Sequence, residues 1–179
     1  MDGKNLVKAC KRKKQAAQKQ LYELYYDMMF RTCYRYLGNV HNAEDMVVEG
    51  FLKIFEHIKS FEYRNSSSLM NWMKTIMINE SLSYLRRNKR IIFSDSEHIF
   101  EQNYTIDDAL EIKDIHKAIT LMPTGYRTVF NMYVVEGFSH KEIASSLNIS
   151  EATSKSQLSR AKKYLHKMIK DLNYERRAI

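Results

Sequence analysis

Five polar side chains, Lys155, Ser156, Ser159, Arg160 and Lys163, recur at helical spacing on the side opposite an apolar stripe of Leu158, Ala161, Leu165, Met168 and Leu172. Lysine and arginine neutralise phosphates, and both can donate to base edges together with serine. A helix presenting them outward has the chemistry to hold and read duplex DNA. The residues before it provide the means to place such a helix. Ser139 followed by Glu142 is a capping box that opens a helix with Ile143, Ala144 and Leu147 on one face. Asn148 tolerates the left-handed conformation in which many helices end, and Ser150 can accept a hydrogen bond from the first turn of the next helix. Gly137 to Leu165 therefore reads as two short helices around a turn of about three residues, a helix-turn-helix arrangement. Extending the apolar stripe back by four residues reaches Ser154, a polar residue where an aliphatic one would pack better.

The whole chain agrees with a helical scaffold. Its 179 residues are 44% hydrophobic and include only five Gly and one Pro, with few alternating β-branched runs, so the fold class expected is all-α. A formal net charge of +8, a pI near 9.4 and a mean hydropathy of -0.51 describe a folded, basic chain suited to a polyanionic partner. The charge is unevenly spread. Lys4, Lys8, Lys11, Arg12, Lys13, Lys14 and Lys19 make the start basic, whereas Asp95, Glu97, Glu101, Asp107, Asp108, Glu111 and Asp114 outweigh Lys113 between Ser94 and Asp114.

No apolar run approaches the roughly 20 residues that span a bilayer, and the basic start lacks the apolar core of a secretory signal, so a cytoplasmic location without membrane insertion is expected. Cys10 and Cys33 are too few and too far apart for a disulfide framework or metal knot, and Cys33 reads as a small core residue beside Met29, Phe30 and Tyr34. The six histidines are scattered, and neither a phosphate-cradling Gly loop nor a nucleophile elbow occurs. The expectation is a protein with no metal, no cofactor and no catalytic activity of its own.

Residues 1–17 form a basic N-terminal extension. From Gln18 to Leu37 the positions Leu21, Leu24, Tyr25, Met28, Met29 and Tyr36 follow a helical period. A turn at Gly38 and Asn39 leads to a helix opening with Ala43, Glu44 and Asp45, whose buried stripe is Val47, Phe51, Ile54, Phe55 and Ile58. Asp45, Glu49 and Glu56 fall on another face. After the polar stretch from Phe61 to Ser68, a further helix starts with Leu69, Trp72, Met73 and Ile76. It loses its stripe at Asn79, Glu80 and Ser83, and ends in Leu85, Arg86, Arg87, Asn88, Lys89 and Arg90. The acidic stretch lacks periodicity and reads as a linker. Helical pattern returns at Ile112, Ile115, Ile119 and Met122, pauses at Pro123, and resumes at Tyr126, Val129, Phe130 and Tyr133.

AEDMVVEGFLKIF (Ala43 to Phe55), Trp72 and NESLSYLRRNKR (Asn79 to Arg90), followed by MPTGYRTVFNMYVVEGFSHKEIASSLNIS (Met122 to Ser150) and LSRAKKYL, resemble the sigma factors of the sigma-70 family, in particular the extracytoplasmic-function (ECF) group. The resemblance covers about Gln18 to Leu172. It implies region 2 over 18–92, a flexible acidic linker over 93–108 and region 4 over 109–175.

The resemblance further implies the partners: RNA polymerase core through its β′ clamp helices and β flap, promoter DNA, and an anti-sigma factor. Asp45, Glu49, Phe51 and Glu56 would meet the core enzyme. Asn79, Ser83, Arg86, Arg87 and Arg90 would melt and capture the -10 element. Lys155, Ser159 and Arg160 would read the -35 element with Ser156 and Lys163, and Ser150 and Thr153 would hold phosphates. Trp72, on the buried stripe, is expected to pack rather than to stack on a base. Val48, Ser83 and Ser154 stand where the family customarily has Gln, Asp and an aliphatic residue. The last predicts a region 4 core looser by on the order of 1 kcal/mol. A repressor that never meets polymerase would also use the helix-turn-helix, but would leave the first ninety or so residues without a task.

Overall fold

Helix starts in this chain are set by side chains that accept otherwise unpaired backbone N–H groups. The computed structural model describes residues 2–88 and 112–177, with side chains over 2–88 and 117–169. Within them every regular element is helical: α1 (Gly3–Lys11), α2 (Gln15–Leu37), α3 (Val40–His57), α4 (Ser66–Arg87), α5 (Ile112–Leu121), α6 (Thr124–Phe130), α7 (His140–Leu147) and α8 (Glu151–Arg177), with a π-helical turn at Asn131–Val135. They belong to two units, Met1–Asn88 and Lys89–Ile179. The acidic stretch 93–108 and Arg90 lie outside the described residues, as do the side chains of Ile112, Ile115 and Leu172.

In the first unit, α2, α3 and α4 pack on one another and α1 packs on α2. Gly38, at φ +64°, closes α2 in the left-handed conformation, and the Asn39 side chain then accepts the N–H of Asn42 at 3.0 Å to start α3. This start precedes Ala43, so Glu44 and Asp45 occupy the second turn rather than the opening one. Asn65 starts α4 reciprocally: its Oδ1 accepts the Ser68 N–H at 2.8 Å, and Ser68 Oγ accepts the Asn65 N–H at 3.1 Å.

The core draws Leu21, Met29, Cys33 and Tyr36 from α2, Val47, Phe51 and Ile54 from α3, and Leu69, Met73, Met77 and Leu82 from α4. Burial pushes the Cys33 thiol up to about 11, against a smaller opposing effect of a hydrogen bond with Ser81, so it stays protonated at neutral pH. A side chain at Gly50 would collide with Met77 Sδ, which shows how closely α3 and α4 approach. Between these helices Lys53 Nζ meets Glu80 Oε1 at 2.7 Å; the Glu80 side chain is 11% exposed and that of Lys53 46%.

Two expectations about this unit change. Leu24 and Met28 are exposed, at 65% and 40%. Leucine and methionine satisfy the helical period on either of two adjacent stripes, and α2 buries only the one holding Leu21, Thr32 and Tyr36. Its aromatic file, Tyr22, Tyr26, Phe30 and Tyr34, runs at steps of four, and Tyr22 meets Phe51 of α3 at 4.6 Å between ring centres. Residues 1–17 also contain a packed helix: Leu6, Val7 and Cys10 of α1 are all buried, because spacings of one, three and four put them on a single face.

In the second unit, Pro123 separates α5 from α6, and the buried Arg127 guanidinium donates to the backbone carbonyls of Thr120 and, at 3.4 Å, Met122. It thereby satisfies carbonyls at the end of α5, where a cation is also favoured by the helix dipole. Tyr164 of α8 donates to the Leu121 carbonyl at 3.3 Å. Met122, Val129, Met132, Ile143, Leu147, Leu158 and Ala161 form the interior.

Lys53→Met leaves the Glu80 carboxylate in the α3–α4 seam without its cation. It should lower the unfolding free energy by about 1–3 kcal/mol in urea titrations. Adding Glu80→Gln should recover part of that loss; full additivity of the two changes would show that the pair is not coupled.

Candidate nucleic-acid interface

The helix-turn-helix is held by three local devices. Ser139 Oγ accepts the Glu142 N–H at 3.2 Å while Glu142 Oε2 accepts the Ser139 N–H at 2.8 Å, and these bonds hold the Glu142 carboxyl below its ordinary value of 4.5. Its contribution to stability is complete above that value and is lost as pH falls through the lowered one. Asn148 ends α7 at φ +54°, ψ +50°. Ser150 Oγ accepts the Thr153 N–H at 2.9 Å and lies 2.8 Å from Thr153 Oγ1, starting α8.

On α8 the buried positions are Ser154, Gln157, Leu158 and Ala161. Lys155, Ser159 and Lys163 face solvent, as does Lys162, which the sequence reading did not single out. Thr153, Ser156 and Arg160 sit half-buried on the flank. The Ser156 hydroxyl donates to the Thr153 carbonyl at 2.9 Å, so it can offer an incoming group only its lone pairs. The structure thus brings Lys155, Ser159 and Lys163 together on the outermost strip, and ties Ser150, Thr153 and Ser156 into the helix start.

Ser154 is a correction. It is fully buried, yet its Oγ lies 2.9 Å from His140 Nδ1 of α7, whose ring stacks on Tyr133 with centres 4.5 Å apart. The polar residue joins the two helices of the motif instead of leaving a gap. The partner is fourteen residues away, beyond the reach of any periodicity. Gln157, also fully buried, finds no hydrogen-bond partner for either side-chain polar atom.

In the first unit, Asn79 is exposed, Ser83 half-buried, and Arg86 and Arg87 exposed in the last turn of α4. Steps of four and three put Trp72, Ile76, Asn79, Ser83 and Arg86 in one file along α4, and an Arg86 N–H donates to Ser83 Oγ at 3.3 Å. Trp72 is half-buried and stacks on Phe61 of the preceding loop at 4.6 Å, so it supports the file from its lower end.

On α3, Asp45, Glu49 and Glu56 are exposed as expected, but Phe51 is only 2% exposed and belongs to the core. Phe51 falls on the strip of Val47 and Ile54, about 100° or more around the helix from the carboxylates. The outward strip is completed instead by Val48 and Leu52, 51% and 59% exposed. Both lie off the buried period, which is the signal that could have found them. Among the described residues, no His, Cys, Asp and Glu cluster could hold a metal and no helix is long and apolar enough to cross a membrane.

An all-α unit with an acidic and apolar helix face, and another carrying a helix-turn-helix with lysines outward, define a DNA-binding protein of the transcription machinery. Residues 21–91 match Sigma-70 region 2, and residues 112–165 match Sigma-70, region 4. The ECF RNA polymerase sigma factor SigW of Bacillus subtilis is 30% identical over 94% of this chain and 97% of its own length. SigM of the same organism is 28% identical over 82% and 91%. A sigma factor RpoE from Bartonella quintana, solved with the anti-sigma factor NepR, superposes with a TM-score of 0.52 and 27% identity over 85% of this chain and 96% of that one. The chain belongs to the ECF sigma factors of the sigma-70 family, the transcription-initiation factors of RNA polymerase.

Ser154→Ala removes the bond to His140 without changing the backbone. It should destabilise the second unit by about 1 kcal/mol and speed hydrogen exchange of the α7 amides. Unchanged exchange would mean that the two helices are held by apolar packing alone.

Proposed function

We propose that this protein carries RNA polymerase core to a limited set of promoters, with α8 reading the -35 element and α4 with its preceding loop melting and capturing the -10 element. The observation that carries the reading is the pairing, in one chain, of two unlike surfaces: the α3 strip of carboxylates and exposed aliphatics, and the lysine strip of α8. Apolar side chains left exposed on a helix face favour a protein partner, and the carboxylates around them orient it. Asp45, Val48, Glu49, Leu52 and Glu56 accordingly meet the β′ clamp helices, with Phe51 supporting them from inside. The second unit also meets the β flap.

On α8, Lys155, Ser159 and Arg160 reach base edges in the major groove, with Ser156 offering lone pairs beside them. Lys163, Ser150 and Thr153 hold phosphates. On α4, Asn79 can give and accept hydrogen bonds at an unstacked base, Ser83 stands beside it, and Arg86 and Arg87, with Arg90 beyond, hold the strand backbone. Binding an opened strand stabilises melting without breaking a covalent bond, so no cofactor or catalytic group is required. By analogy with the RpoE–NepR complex, an anti-sigma factor is the regulator proposed, and the cytoplasm the place of action.

Reconstitution with core polymerase on a promoter library tests the reading: specific initiation dependent on the protein is expected. Tight duplex binding without core binding would favour the repressor instead. Lys155→Ala and Arg160→Ala should each cost about 1–3 kcal/mol in -35 recognition with core binding intact. Leu52→Glu should do the reverse, weakening core binding by tenfold or more. Loss of core binding in the α8 variants would show that the surfaces have been exchanged.

A further inference from the structure

The basic face of α1 has no part in the function described so far. Residues 2–19 hold seven cationic side chains against Asp2 alone, six of the chain's net +8 charges. Lys4, Lys8 and Lys11 recur at steps of four and three, and so share one edge of α1, turned away from buried Leu6, Val7 and Cys10. Arg12, Lys13 and Lys14 continue the charge past the helix end, all exposed. None of these six pairs with a carboxylate among the described residues.

Neither helix stability nor solvation explains this arrangement. The dipole favours Lys8 and Lys11 in the last turn, but disfavours a cation such as Lys4 at the start. Lys13 ends the helix at φ +56°, a left-handed conformation where glycine is the unstrained choice, so a charge stands where the backbone would prefer none. Position supplies the rest. Gly3 lies so close to Tyr63 that an added Cβ would sit 2.6 Å from its Oη. Tyr63 belongs to the loop between α3 and α4, and its Oη lies 3.4 Å from Ser66 Oγ at the first turn of α4.

We propose that α1 is a further DNA-binding element, whose Lys4, Lys8 and Lys11 edge, continued by Lys13, holds phosphates of the promoter strand engaged by the Phe61–Asn65 loop and α4. The proposal rests on the strand-capture reading above. From Lys4 to Lys11 the helix rises about 10 Å, the length over which one DNA strand presents about three phosphates.

The test uses holoenzyme reconstituted with the full chain, on a promoter fragment selected by the wild type. The fragment is presented both as an intact duplex and as a fork with the -10 strand exposed. Lys4→Gln/Lys8→Gln/Lys11→Gln should bind core normally but bind the fork about tenfold more weakly at 0.1 M salt. Its slope of log affinity against log salt should be shallower by about two. Lys13→Gly should raise the melting temperature while still weakening fork binding. That combination excludes misfolding as the cause.

Wild-type affinity and salt slope retained by the triple variant would overturn the proposal. So would lost core affinity, which would place the basic edge on the polymerase instead. If the wild type gains nothing from the fork over the duplex, strand capture fails on its own. The slope difference, read on both DNAs, still decides whether α1 touches DNA.

Discussion

The first turn of every helix leaves backbone N–H groups without a partner, and the placement of each functional surface depends on how this chain satisfies them. Asn39, Asn65, Ser139 and Ser150 each supply the accepting oxygen, and each stands at a corner between helices. A helix turns about 100° per residue, so a corner that slipped by one position would carry the next outward strip far around its axis. The strips of α3, α4 and α8 owe their direction to these bonds as much as to the apolar packing beneath them.

The three surfaces differ in chemistry because their partners differ. On α3, exposed Val48 and Leu52 sit among carboxylates, a mixture that suits a protein helix and repels nucleic acid. On α8 the outward strip is cationic and hydroxylic, with no exposed large aliphatic among the residues given to DNA. The file on α4 lies between these extremes: Asn79 and Ser83 are neutral, and the arginines enter only in its last turn. Neutral amides and hydroxyls suit base edges, while concentrated charge suits backbone.

Local features were the legible part of this fold. The Ser139 and Glu142 box, the left-handed Asn148 and the Ser150 cap are all contained within a few residues, and each is found where the spacing placed it. Long-range partners were not legible. The bond from Ser154 to His140 and that from Arg127 to the end of α5 depend on how helices meet, which no periodic pattern encodes. Between these limits lie Leu24, Met28 and Phe51. Periodicity identifies apolar stripes but not which stripe turns inward where two adjoin, so Leu24 and Met28 were placed inside, and Phe51, rightly on the buried stripe, was also asked to face outward. For α1, an emphasis on its charge hid a buried face only three residues deep.

The π-helical turn at Asn131–Val135 bears on how this protein can vary. The Glu136 N–H reaches back five residues to the Asn131 carbonyl at 3.0 Å, the signature of one residue inserted into an α-helix, and the Phe138 N–H bonds to Met132 at 2.9 Å just after it. The insertion rotates everything that follows, including the stack of Tyr133 on His140 and the start of the helix-turn-helix. A deletion of one residue here could be healed by the backbone as an ordinary helix, with every hydrogen bond satisfied and the reading helix aimed elsewhere. Such a lineage would keep its stability and lose its promoters, so this stretch should resist changes in length even where it accepts changes in sequence.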